Sequence, residues 1–229
     1  MVSPALIFRQ IELGPMGNYI YIIACAHTRE AGVVDPAWDV AAILESCRSL
    51  DLKLKHILIT HAHPDHVNGL EALLEVTGAT VWLHSAEVVF IREMADRFQI
   101  PIGFMDKYSA RIRAVSDEEE IHVGRLQVRC LHTPGHSPGS QCFLVGKNLL
   151  SGDTLFVGAC GRVDIPGGDP EKLWWSLNRK LWALEDDIVV YPGHNYGNRP
   201  SSTLGEQKRS NPYMQYGAAD EFLDALGEC

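Results

Sequence analysis

Thr60-His61-Ala62-His63-Pro64-Asp65-His66 follows directly on the apolar run Ile57-Leu58-Ile59. Three imidazoles and one carboxylate fall together where a buried strand gives way to a loop. These are the donors that a Zn²⁺ or Fe²⁺ site takes, and a strand end holds them at a defined position. A polar turn in which Asp65 merely caps the following helix would account for one of the four and leave the histidines unexplained. The stretch reads as a metal-binding loop.

The same signature recurs downstream. Val128–Leu131 runs into His132-Thr133-Pro134-Gly135-His136, Leu149-Leu150 into Ser151-Gly152-Asp153, and Ile188–Tyr191 into Pro192-Gly193-His194. In each, a glycine stands immediately before the candidate ligand, where it lets the backbone turn sharply. Pro-Gly alone is a common turn. The series, coming after the histidine loop, is what carries the reading. Five of the ten histidines (His61, His63, His66, His136, His194) sit at such strand ends. His27, His56, His84, His122 and His132 do not, and are expected to be surface or hydrogen-bonded rings, with His132 near enough to reach the rim of the site.

Working outward, β-type runs are expected at Leu6–Leu13, Tyr19–Cys25, Gly32–Asp35 and Leu54–Thr60. A helix is expected from Pro36 to Leu50, with Val40, Ile43, Leu44 and Cys47 on one face. A second follows the histidine loop through Val67, Leu70, Leu73 and Leu74 to a stop at Gly78. Val81–Leu83 reads as a strand and Ser85–Phe98 as a helix. Ile100 to Ser116 reads as irregular and as one wall of a cleft. Asp117-Glu118-Glu119-Glu120 reads as a solvated turn. Strands are expected again at Arg125–Leu131, Gln141–Val145, Asn148–Leu150 and Asp187–Tyr191, and helices at Asp169–Leu184, Leu204–Arg209 and Gly217–Leu226. Strands then helices, twice over, predict an α+β fold in which two sheets face each other with helices outside, a four-layer αββα sandwich. With no linker or low-complexity stretch, residues 1–229 are expected to form one domain with a short helical tail.

The 229 residues can bury a sizeable core, and 46% hydrophobic with 21% charged is ordinary for a globular protein. A formal charge of −9 argues against nucleic acid or an anionic membrane as partner. No apolar run is long enough to cross a membrane, and Met1-Val2-Ser3-Pro4-Ala5-Leu6 lacks the pattern of a signal peptide. The six cysteines (Cys25, Cys47, Cys130, Cys142, Cys160, Cys229) show no CxxC spacing. They read as free thiols in a reducing cytoplasm, with Cys160 close behind a suspected ligand. A homodimer is left open.

The ordered series Thr-His-Ala-His-Pro-Asp-His, Thr-Pro-Gly-His, Gly-Asp-Thr-Leu-Phe and Tyr-Pro-Gly-His resembles the metallo-β-lactamase fold, from His61 to His194. The resemblance implies two divalent metals, zinc first with iron or manganese as alternatives. His61, His63 and His136 would bind one, Asp65, His66 and His194 the second, and Asp153 would bridge both. Aspartate at 153, where zinc β-lactamases commonly carry cysteine, points away from antibiotic hydrolysis. Gly152–Phe156 with Ala159-Cys160-Gly161-Arg162, and Gly193-His194-Asn195-Tyr196, resemble glyoxalase II. That likeness implies a hydrolase of glutathione-type thioesters, a small thiol-derived substrate. Water activated between the metals would attack the carbonyl, with Asp65 and Asp153 as the catalytic carboxylates and Arg162 and Tyr196 touching the thiol carrier. One departure is the tail, where 35 residues follow His194 (229 − 194) and no Lys or Arg occurs from Tyr213 onward, against a full glutathione clamp. Gly161-Arg162-Val163-Asp164 and Gly167-Gly168-Asp169 also resemble persulfide dioxygenases. These imply the alternative of one Fe(II) at His61, His136 and Asp153, a two-histidine, one-carboxylate site open to oxygen.

Overall fold

The computed structural model describes residues 5–98 and 102–227. The expectations placed on Met1–Pro4, on Ile100 and Pro101, and on Cys229 lie outside the described residues.

The first sheet is built from β1 (Leu6–Leu13), β2 (Asn18–Cys25), β3 (Glu30–Val34), β4 (Lys53–Leu58), β5 (Thr80–His84) and β6 (Ile112–Val115), in that spatial order. Its helices are α1 (Val40–Ser49), α2 (Pro64–Val67), α3 (Leu70–Val76), α4 (Ser85–Phe98) and α5 (Gly103–Lys107). The second sheet takes β7 (Glu120–Val123), β8 (Leu126–His132), β9 (Gln141–Val145), β10 (Asn148–Gly152), β13 (Val189–Pro192) and β14 (Ser202–Thr203), in the order β14-β13-β10-β9-β8-β7. A small hairpin, β11 (Leu155–Phe156) with β12 (Ala159–Cys160), leads to α6 (Pro170–Trp175), which continues as a π-helical stretch over Ser176–Leu181. The chain then reaches α7 (Leu204–Ser210) and α8 (Ala219–Gly227).

β2 explains why the sheets stack. All eight of its residues are buried. Because side chains alternate across a strand, Tyr19, Tyr21, Ile23 and Cys25 enter one core while Ile20, Ile22 and Ala24 enter another. The first core lies between the sheets and is closed from the other side by Val128, Cys130, Phe143 and Leu150. The second packs against Ile43, Leu70, Leu73 and Leu74 of the helices. A third core joins Leu131, Cys142, Leu149 and Val190 to Leu173, Leu177 and Leu181. Three buried seams between four layers give the αββα sandwich, each fully buried Ile or Leu contributing about 1.5–3 kcal/mol.

The ligand loops meet because of strand direction. β8 and β10 each run antiparallel to β9, and β13 runs parallel to β10, so β8, β10 and β13 end on the same side. The end of β4 is tied to them across the sandwich. Gln141 donates through its backbone N–H to the Thr60 carbonyl (2.9 Å) and through its side chain to the Ile59 carbonyl (2.8 Å). Tyr19 N–H donates to the Gly193 carbonyl (2.8 Å), and the buried Tyr21 hydroxyl donates to the Pro192 carbonyl.

Several expectations are corrected. The first helix begins at Val40, four residues late, because Asp35 and Trp38 adopt φ of 50° and 66° and Asp39 caps the helix by accepting from Ala42 N–H. The helix after the histidine loop is broken at Asn68-Gly69. Asn68 accepts from Trp38 N–H (2.6 Å), and a Cβ on Gly69 would sit 2.8 Å from the Pro36 carbonyl oxygen. The segment from Ile102 to Ser116 is not irregular and does not line the cleft: it forms α5, a 3₁₀ turn over Ser109–Arg111 and the edge strand β6. Asp117 is more than a solvated turn residue, since it accepts from His132 N–H (2.8 Å) and pairs with Lys180. Glu120 opens a strand that the acidic run concealed.

Candidate metal centre

His61, His63, Asp65, His66, His136, Asp153 and His194 converge where these strand ends meet. Four of the imidazoles are fixed by what they donate to. His61 Nδ1–H donates to the Thr60 hydroxyl oxygen (3.1 Å), which itself donates to Asp35 Oδ2 (2.6 Å). His66 Nδ1–H also donates to Asp35 Oδ2 (3.1 Å). His136 Nδ1–H donates to the carbonyl of Arg162 (2.8 Å) and His194 Nδ1–H to the carbonyl of Met16 (3.0 Å). Carbonyls and carboxylates only accept, so Nδ1 carries the proton and Nε2 presents its lone pair to the interior.

Those lone pairs face one another. His66 Nε2 and His194 Nε2 lie 3.1 Å apart. Asp65 Oδ2 is 3.4 and 3.3 Å from them. Asp153 stands between the groups, its Oδ1 3.4 Å from His66 Nε2 and its Oδ2 3.3 Å from His194 Nε2 and 3.6 Å from His136 Nε2. His63 Nδ1 lies 2.9 Å from His136 Nε2. His61 Nε2 and Asp153 Oδ1 are buried without a hydrogen-bond partner. Opposed lone pairs and orphaned acceptors around a carboxylate are held together only by shared positive charge, so the donor set fits metal cations. His61, His63 and His136 form one group that could hold an ion, and Asp65, His66 and His194 another, the donor atoms of each within 4.8 Å of one another. Asp35 with His61 and His66 meets the same distance test. Its carboxylate is already taken by Thr60 N–H (2.8 Å), the Thr60 hydroxyl and His66, so it fixes the orientation of His66 and, through Thr60, of His61.

The electrostatics differ between the two groups. Burial, then the neighbouring rings, pushes His61 far down and His63 down to about 3. Burial lowers His136 as well, against Asp153. Burial opposes charge on His66 and His194 too, yet the carboxylates prevail. Asp153 and Asp35 hold His66 well up, and Asp153 and Asp65 hold His194 up at about 9. Against burial, His66 and His194 keep Asp153 and Asp65 below the usual carboxylate range, and Asn18 adds to this at Asp65. One group thus stays neutral, while in the other the carboxylates favour positive charge beside His66 and His194, a charge that a bound cation would supply in place of protons.

A cleft of about 340 Å³ opens onto this cluster, walled by Met16, Phe156, Cys160, Arg162, Ile165 and Tyr196. The Tyr196 ring stacks on His194 (centroids 4.6 Å, 8° between planes) and meets Phe156 edge-on at 5.4 Å. The Arg162 guanidinium makes two 2.7 Å bonds to the Asp164 carboxylate, both groups exposed. Cys160 lines the wall, and burial pushes its thiol up to about 12, so it is no ready nucleophile. The remaining histidines are elsewhere. His27 and His122 are exposed, and His56 binds Glu30 and Trp82. His84 and His132 stack on each other at 3.7 Å, His132 Nε2–H donates to the Pro138 carbonyl, and neither ring lines the cleft.

Sequence reasoning passed over the groups that orient these side chains. Asn18 donates to Asp65 Oδ2 (2.9 Å) and is itself held by Trp38 Nε1–H (2.7 Å). Asp35 ends a buried strand just as the ligands do, so the signature that found Asp153 was present there too. The carbonyls of Met16 and Arg162 left no readable mark.

Comparison with known proteins agrees with this geometry. The family model described as "Metallo-beta-lactamase superfamily" matches residues 13–194. The chain is 31% identical over 209 residues to "Probable polyketide biosynthesis zinc-dependent hydrolase PksB" of Bacillus subtilis, covering 90% of this chain and 85% of that one. It is 33% identical over 192 residues to "Hydroxyacylglutathione hydrolase GloC" of Haemophilus influenzae, covering 81% and 88%. The crystal structure of ETHE1 from Myxococcus xanthus superposes with a TM-score of 0.81 at 33% identity, covering 96% and 90%. The human mitochondrial protein named persulfide dioxygenase ETHE1 is 26% identical over 225 residues, 97% of this chain and 81% of that one. Family model, relatives and αββα sandwich agree: this chain belongs to the metallo-beta-lactamase superfamily, a family mostly of metal-dependent hydrolases.

Proposed function

We propose that this protein is a binuclear metal-dependent thioester hydrolase. His61, His63 and His136 would hold one divalent ion, Asp65, His66 and His194 the second, and Asp153 would lie between them. The observation that carries the reading is the second set. Its three side chains have orienting partners of their own (Asn18, Asp35 and the Met16 carbonyl), so they are held in place as firmly as the first set and suit a second ion. Its likeness to the zinc-dependent hydrolase PksB and to the hydroxyacylglutathione hydrolase GloC supports the same reading.

Bound divalent metals supply Lewis acidity and lower the pKa of water. The chain supplies the rest. Asp65 faces the cleft with Oδ2 held by Asn18, so it can orient an attacking water by accepting from it. Its depressed pKa makes it an orienting group and a poor proton store. Phe156, Ile165 and Met16 present apolar surface to the acyl thioester and exclude bulk water. A thiolate leaves without a strong general acid, and none is provided.

The test is turnover against metal identity. Purified protein is expected to hydrolyse a glutathione-type thioester such as S-lactoylglutathione with zinc, manganese or iron bound, and to take up no oxygen with glutathione persulfide. The competing reading, a mononuclear iron dioxygenase, draws on the likeness to ETHE1. An iron-only preparation that consumes oxygen with persulfide and leaves thioesters intact would establish it in place of ours.

Arg162 and Tyr196 are proposed as contacts for the thiol carrier. Tyr196→Ala and Arg162→Ala are expected to raise KM several-fold with kcat little changed, because they contribute binding that is equal in ground and transition states. Equal losses in kcat and kcat/KM would move them to the reacting centre. The Arg162 effect should be the smaller, since Asp164 already holds its guanidinium.

A further inference from the structure

Glu87 lies in the first turn of α4 and is 1% exposed. Among the described residues no cation pairs with it. Its carboxylate collects three donors instead. Oε1 accepts from Ala62 N–H (2.8 Å), and Oε2 accepts from the Ser137 hydroxyl (2.8 Å) and from Gly139 N–H (2.8 Å). Burial pushes this carboxyl up, and the same three donors oppose that rise. A buried carboxylate costs several kcal/mol unless it is fully hydrogen-bonded, so a bare scaffold has little use for one. A carboxylate does suit this place, because three donors with no acceptor beside them need an acceptor-only group, and the N-terminal turn of a helix favours its charge.

The donors are not scattered. Ala62 stands between His61 and His63, while Ser137 and Gly139 follow His136. Glu87 is therefore the hinge pin between the two loops that deliver one complete ligand set. The second loop is wound around it: Ser137 N–H donates to Ser140 Oγ (2.9 Å), and His132 Nε2–H donates to the Pro138 carbonyl (2.9 Å). A Cβ on Gly139 would fall 2.2 Å from the Glu87 backbone nitrogen, so loop and helix are in direct contact. Across the pin, His63 Nδ1 and His136 Nε2 come within 2.9 Å. Glu87 makes no bond to Asp65, His66 or His194.

We propose that Glu87 is a positioning residue for the His61–His63–His136 set, fixing the separation of its two loops and hence the affinity of that set alone. The proposal rests on reading these side chains as metal ligands. Zinc binding to the full-length, metal-stripped protein is measured by calorimetry, with Co²⁺ absorption as a second readout of ligand geometry. His63→Ala and Asp65→Ala mark which binding step belongs to which set. Glu87→Gln keeps the size but turns an amide N–H toward one of the donors. It is expected to weaken the first set about 10- to 100-fold, to leave the Asp65–His66–His194 step unchanged, and to lower kcat without raising KM. Rescue is expected in part from Glu87→Asp. Wild-type affinities in Glu87→Gln, or equal weakening of both sets, would overturn the proposal. Should that variant not fold, Ser137→Ala removes one of the three donors and is expected to show the same selective loss at smaller size, and unchanged affinities there would overturn it equally. If His63→Ala left both zinc steps intact, the ligand reading itself would fail, a result separable from wild-type zinc binding in Glu87→Gln.

Discussion

Asp153→Ala is expected to strip the protein of both metals and to lower thioester turnover by roughly 10³-fold or more, a loss beyond the 10- to 100-fold of an outer partner. Its carboxylate lies within 3.6 Å of Nε2 on His66, His136 and His194, so it borders both ligand sets directly. Its removal leaves His66 and His194 with Asp65 as their shared carboxylate and takes away the one that His136 faces. Metal content after dialysis and kcat/KM measured together decide the matter. Retention of both ions with near-normal turnover would mean that Asp153 only neutralises the histidines. Changes at the exposed His27 or His122 are expected to move neither quantity.

Gly193→Ala is expected to be nearly as damaging, although the substitution adds a single methyl group. A Cβ there would fall 2.3 Å from Asp153 Oδ1 and 3.0 Å from His66 Cε1. The backbone cannot yield easily, because Gly193 N–H donates to the Gly152 carbonyl (2.8 Å) and the Gly193 carbonyl accepts from Tyr19 (2.8 Å). The Asp153 side chain has to move instead. A displacement on the order of 1 Å at a reacting centre costs about 100-fold in rate. Weakened zinc binding and a fall in kcat of that order are the expected results, read against Gly78→Ala, where a Cβ meets nothing within 4 Å. Full activity in Gly193→Ala would show that the approach of backbone to carboxylate is not used.

The features legible in the sequence share one physical origin. A strand buried on both faces is a continuous apolar run, and a ligand at its end interrupts that run with a polar group, so Ile57–Ile59 before His61 and Leu149-Leu150 before Asp153 stand out. Gly135 and Gly152 were equally readable, and they do adopt φ of 137° and 49°. What escaped notice depends on contacts between distant segments. Nothing local to Glu87 distinguishes it from any acidic residue in a first helical turn, because its donors come from Ala62, Ser137 and Gly139. The edge strand β6 alternates too weakly to announce itself, with only Val115 buried among its residues. The helix break at Asn68-Gly69 is imposed by Trp38 and Pro36, a long-range effect that outweighs the helical spacing of Leu70, Leu73 and Leu74.

The seven converging side chains divide between the two sheets: His61, His63, Asp65 and His66 leave the first, and His136, Asp153 and His194 leave the second. The His63–His136 contact spans 73 positions of the chain and the His66–His194 contact 128. An ion shared across either contact would therefore cross-link the polymer, closing a long loop in the unfolded ensemble as a disulfide does. On the chain-entropy account, loops of this length are worth about 4–5 kcal/mol. The five described cysteines are all free, so no covalent staple spans this seam among the described residues. Coordination would fill that role here, as a fastening that a chelator can undo and a cysteine pair would not allow.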